Sequence, residues 1–188
     1  MSGQWIFNFV FAAGLAGGVY GSAVLLHEAG HALSGYLFRA KCLWIRVGGM
    51  LWVPGAGVFF RAVRTVRPGE CALSCPDKKS CVAAALGGAA MNFVTGAAAG
   101  FCCMLRKDSL LVDSSGSAGW LFFSAAAAFC VCSLLMSVFS LCTAVAGKGN
   151  DGMLIKRLCR EQGFCQKFRQ GQQRDLLRLE FGLVDEMF

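Results

Sequence analysis

The sequence predicts an all-α polytopic membrane protein, with a core of about three transmembrane helices and a short membrane-associated β segment after the first. Three observations lead there. Hydrophobic residues make up 56% of the 188 residues and charged ones only 15%, whereas soluble domains carry about 25% charged residues. The apolar residues are gathered into three blocks, each long enough for a hydrocarbon core about 30 Å thick. Between the first two blocks the pattern changes to short runs of Val, Ile, Phe and Trp, broken by Gly-Gly and Pro-Gly.

The first block covers about residues 5–38. It exceeds the roughly 20 residues a span needs, so it tilts or begins with a flexible glycine-rich part. "MSGQWIF" has no positively charged start, so the block reads as a span rather than a cleaved signal. The strand-like segment follows at 42–66, where two or three strands are expected. The second and third spans lie at about 81–105 and 118–146. All three are rich in Gly, Ala and Ser, which lets helices approach closely in lipid. Residues 1–152 form the core on this reading. Residues 153–188 form an amphipathic tail, with Leu176, Leu177, Leu179 and Phe181 at roughly helical spacing, lying on the membrane surface or on the domain.

The net charge is +7, but no aromatic-plus-basic signature of nucleic-acid binding accompanies it. The basic residues follow the spans instead. Arg39, Lys41, Arg46, Arg61, Arg64, Arg67, Lys78 and Lys79 separate spans one and two, and Lys148, Lys156, Arg157 and Arg160 follow span three. The loop between spans two and three has Arg106 and Lys107, offset by Asp108 and Asp113. The positive-inside rule then puts the N-terminus outside and the tail in the cytoplasm. Trp5 and Trp120 each open a span on the outer side, as an aromatic belt requires. Of the eleven cysteines, Cys71, Cys75 and Cys81 form a C-x3-C-x5-C cluster with no histidine nearby. A structural or incidental role is expected for them.

Within the first span stands His27-Glu28-Ala29-Gly30-His31, an H-E-x-x-H. Helix positions i and i+4 share a face, so two imidazoles can hold one cation. Glu28 beside it can take a proton from water activated by the metal. The chain has only two histidines, and both are here. Glu28 is also the sole acidic residue of the first 69 positions. A charge near mid-bilayer costs about 2.5–3.5 kcal/mol on insertion scales, so such residues mark function. A hydrolytic zinc site needs a third protein ligand with a position left open. No third histidine exists. A cysteine is one alternative, and a carboxylate is the usual partner. Asp108 and Asp113 fall on the far side of the membrane, which leaves Asp151, just past span three, by elimination. A straight third helix would leave Asp151 near the interface. The chain around Gly147–Gly152 must therefore bend back, or the whole site must ride lower.

Three stretches together resemble the site-2 protease group of intramembrane zinc metalloproteases. "HEAGHA" is similar to the family's zinc-binding helix. "GGAAMN" (87–92) resembles its second-helix G-P-x-x-N, with Ala89 at the usual proline. "NDG" (150–152) resembles its aspartate-glycine motif, without the prolines that precede it in the family. The likeness covers about residues 20–160, and no PDZ-like module is present. It implies one Zn2+ per chain on His27, His31 and Asp151, with Glu28 as base and Asn92 helping to hold substrate or the oxyanion. It also implies a membrane-embedded protein substrate within the lipid bilayer. Depth agrees for Asn92. At about 1.5 Å per residue, His27 lies roughly 17–18 Å above Arg39, and Asn92 roughly 18–20 Å above Lys79–Ser80. The expected function is peptide-bond hydrolysis in or near a substrate's transmembrane segment. The alternative is a catalytically silent metal-binding scaffold or regulator. A transporter would need a polar path, and the outer halves of the spans offer little beyond Asn8, Tyr20 and serines.

Overall fold

A computed structural model describes residues 2–60, 69–112, 117–142, 150–161 and 163–180. The side chains of Trp5, Asn8, Arg106, Lys107, Asp108, Trp120, Leu176, Leu177 and Leu179 fall outside the described set. So do the whole of Arg61, Arg64, Arg67, Asp113, Lys148 and Phe181. The chain is mostly helical, 74%, with a small antiparallel sheet after the first helix.

Helix α1 spans Ser2–Leu37. Its 36 residues reach about 54 Å, well beyond an apolar slab of about 30 Å. Its end is fixed by a left-handed residue, Arg39, with φ 64°. The Ala40 N–H reaches back to the Gly35 carbonyl at 2.8 Å, and the Arg39 N–H to that of Tyr36 at 3.0 Å. These paired bonds are a Schellman stop, which satisfies carbonyls that the helix end would otherwise orphan.

Four strands follow: β1 (Lys41–Val47), β2 (Met50–Val53), β3 (Gly57–Phe60) and β4 (Gly69–Ser74), in the order β3-β2-β1-β4. The expected segment ended at 66, so β4 is an addition. It lies beyond the Pro-Gly break, where the spacing of Cys71 and Cys75 stands out more than any strand pattern. The β1–β2 hairpin turns on Gly48 and Gly49, pairing Val47 with Met50. Gly48 takes φ +55° there, a conformation open to glycine at no steric cost. A bulge between Cys42 and Trp44 shifts the β1–β4 register. Leu43 and Trp44 are then both buried, with Leu51 and Val53.

Helix α2 (Lys78–Val112) and helix α3 (Ser117–Leu141) complete a set of three helices long and apolar enough to cross a membrane. Small residues set their spacing. A Cβ added to Gly30 would run into the Gly87 carbonyl, and one added to Gly87 into the Gly30 carbonyl. The Ser34 hydroxyl donates to the Ala83 carbonyl at 2.7 Å, and that of Ser137 to the Ala89 carbonyl at 2.9 Å. Without side chains at the crossing, backbones approach and hydroxyls bond between helices.

Beyond α3 the described chain resumes at Asn150. Helix α4 (Asp151–Arg160) is capped by Asn150, whose Oδ1 accepts the Met153 N–H at 2.9 Å. The Asn150 Nδ2 donates to the Cys142 carbonyl at 2.7 Å. Gly152 sits against the Leu141 carbonyl, where a Cβ has no room. These contacts seat the first residue of α4 beside the last turn of α3, while residues 147–149 of the expected bend lie outside the described residues. Helix α5 (Phe164–Glu180) lies against β4. There the Gln172 Oε1 accepts the Cys75 N–H at 3.1 Å. Leu158, Cys75, Cys81, Leu73, Ala84 and Ala40 form one core, with Leu154, Phe164 and Phe168 packed on it. The described part of the tail packs on α2, β1 and β4. Cys75 and Cys81 are free thiols in that core.

Candidate metal centre

Helical spacing brings His27 and His31 onto one face of α1, with ring centroids 4.7 Å apart and planes at 90°. The return of the chain adds Asp151. The His27 Nε2 lies 3.1 Å from its Oδ2, and the His31 Nε2 lies 3.5 Å from its Oδ1. One ligand atom from each of the three residues falls within 4.8 Å of the others, so this group can hold a metal ion. Ligands about 2.0–2.1 Å from a tetrahedral zinc stand about 3.3 Å apart. Two imidazoles and a carboxylate are donors that zinc accepts, and they are gathered closely enough to share one ion.

The neighbours hold these ligands. The His31 Nδ1 donates to the Ala84 carbonyl at 2.7 Å, which leaves Nε2 with its lone pair toward Asp151. The Ser140 hydroxyl donates to the Asp151 Oδ2. Burial disfavours the Asp151 carboxylate, but the His27 hydrogen bond and the Ser140 hydroxyl oppose it. The carboxyl is held below the usual range. Asn92 is fully buried and lies 3.2 Å from the His27 Nδ1. The depths expected for Asn92 and His27 thus meet in a contact.

Gly88 leaves the room. A Cβ there would stand 2.5 Å from the His31 Nε2 and 2.8 Å from the His27 Nε2. Gly69, the first residue of β4, makes the matching gap at Glu28: its Cβ would lie 2.5 Å from Oε1. The next residue, Glu70, accepts a 2.6 Å hydrogen bond from the buried Arg46 on β1. The sheet thus presses one end of β4 onto the H-E-x-x-H helix. Glu28 shares with His27, His31 and Asp151 a cavity of about 1300 Å³ that runs to Phe164 and Phe168 on α5.

All five residues singled out from sequence lie in or against this site. Ser140, the Ala84 carbonyl, Gly69 and the Arg46–Glu70 pair were missed. Ser140 looks no different from Ser133 or Ser137 in the same apolar block. A backbone carbonyl carries no residue signature. No protein-family model matches the chain, and no curated protein or solved structure matches it.

Proposed function

We propose that this chain is an intramembrane zinc metalloprotease of the site-2 protease kind, cutting a peptide bond within or near a transmembrane segment of a membrane-protein substrate. The observation that carries this reading is the meeting of His27, His31 and Asp151 beside Glu28, in one cavity, among helices whose outer faces are apolar. The basic residues orient the chain with its N-terminus outside and α4 and α5 on the cytoplasmic side.

Zinc on the two histidines and Asp151 would supply Lewis acidity to water and to the scissile carbonyl. The rest belongs to the protein. Glu28, next in sequence to His27, accepts the proton from the attacking water and returns it to the leaving amine. Hydrogen bonds from Ser140 and to Ala84 keep two ligands in place without reorganisation. A helical substrate must first expose its backbone. Among the described residues β4 pairs only with β1, so it is a sheet edge, and it begins at Glu28. A substrate strand added to that edge brings a peptide bond past the base.

The test is Glu28→Gln in the full-length protein, with a labelled single-span substrate and zinc measured in parallel. The expected result is intact zinc content with cleavage lowered by about 10²–10⁴. A biological effect that survives this substitution would instead favour the silent scaffold. A wild-type cut mapping to the outer end of the substrate span would contradict the orientation.

A further inference from the structure

Asn92 is buried between α1 and α2 and does not line the cavity. Its Nδ2 faces the His27 Nδ1 at 3.2 Å, while its Oδ1 is buried and meets no hydrogen-bond partner among the described residues. A neutral imidazole carries one proton, on Nδ1 or on Nε2. The His27 Nε2 is the atom that points at Asp151. If it gives its lone pair to a cation there, the proton sits on Nδ1. An amide N–H cannot face that proton.

The two ends of a carboxamide have nearly the same shape, so a half-turn exchanges them with no other movement. The turn puts Oδ1 on the Nδ1–H of His27 and gives the buried oxygen a partner. The NH2 group takes the place Oδ1 held. His31 already has such an arrangement, with its Nδ1 on the Ala84 carbonyl.

We infer that Asn92 is a positioning residue: its side-chain oxygen accepts the Nδ1–H of His27 and holds that ring with Nε2 toward the cation. This rests on the metal centre proposed above. It gives Asn92 work opposite to that implied by resemblance, since it accepts a hydrogen bond from a ligand rather than donating one to an oxyanion.

Asn92→Asp and Asn92→Leu separate the two roles, because aspartate keeps the acceptor and loses the donor. Zinc affinity of the full-length protein in neutral detergent micelles is the readout, measured by competition with a chelator. Asn92→Leu is expected to weaken zinc by about 10–100-fold, while Asn92→Asp stays within about threefold of wild type. If both variants bind zinc as wild type does and lose cleavage together, the amide serves the substrate and the inference is wrong. A second measurement needs only the wild type. With two histidines in the chain, ¹⁵N-histidine spectra of the zinc-loaded protein resolve both rings. Protonated Nδ1 on each, with Nε2 bound to metal, is expected. Coordination of His27 through Nδ1 would overturn the inference. Failure of the wild type to bind zinc would sink the metal centre itself, and would be seen before any variant is made.

Discussion

The two halves of α1 are built on opposite plans. In the first half, Phe9 is 71% exposed and Val10 62%, and Cβ atoms placed on Gly14, Gly17 or Gly18 would touch nothing. In the second half, Ala23 and Val24 are buried, and so are His27, Glu28 and His31. Here a Cβ on Gly30 has no room. A soluble helix would put the large apolar residues inside and the charged ones outside. The inversion is the arrangement expected of a helix in apolar surroundings, with its polar residues gathered around a shared interior site. The same contrast holds on α3, where Val131 faces outward while Ser133 and Ser137 are buried.

The contrast can be broken from either side. Val131→Asp places a carboxylate on the outer face near the middle of α3. It should cost about 2.5–3.5 kcal/mol of insertion, read as the inserted fraction in a membrane-integration assay. A neutral outcome would remove lipid from the account. On the inner side, Gly88→Ala drives a methyl between the two imidazoles. Strain of about 1–3 kcal/mol should appear as zinc affinity lowered about 10–100-fold. Ser140→Ala removes one hydrogen bond from Asp151 and should weaken zinc by about tenfold. Gly18→Ala is the matching control in the outer half. It adds the same methyl where nothing stands within 4 Å, and its effect on folding and zinc should stay within about 0.5 kcal/mol.

The inner half was the more legible of the two, because its chemistry is local. The i, i+4 spacing of His27 and His31 follows from helix geometry alone, and the three apolar blocks follow from length. Asp151 was legible only by elimination, since its position depends on where the chain goes after Leu141. Extending α3 as a straight rod put it too far out. The Asn150 cap and the side-chain-free Gly152 bring it back instead. β4 escaped notice because it lies beyond the Pro-Gly break and lacks the β-branched and aromatic residues that mark the earlier strands. The bonds that hold the ligands were the least legible. One uses a backbone carbonyl, and another uses a serine indistinguishable from its neighbours.

The central claim is that two imidazoles from α1 and a carboxylate from α4 bind one cation. X-ray absorption at the zinc edge of the full-length protein tests it most directly. The account predicts one zinc per chain with only nitrogen and oxygen ligands, at about 2.0–2.2 Å. A shell containing sulfur at about 2.3 Å would hand the metal to the cysteines and contradict it.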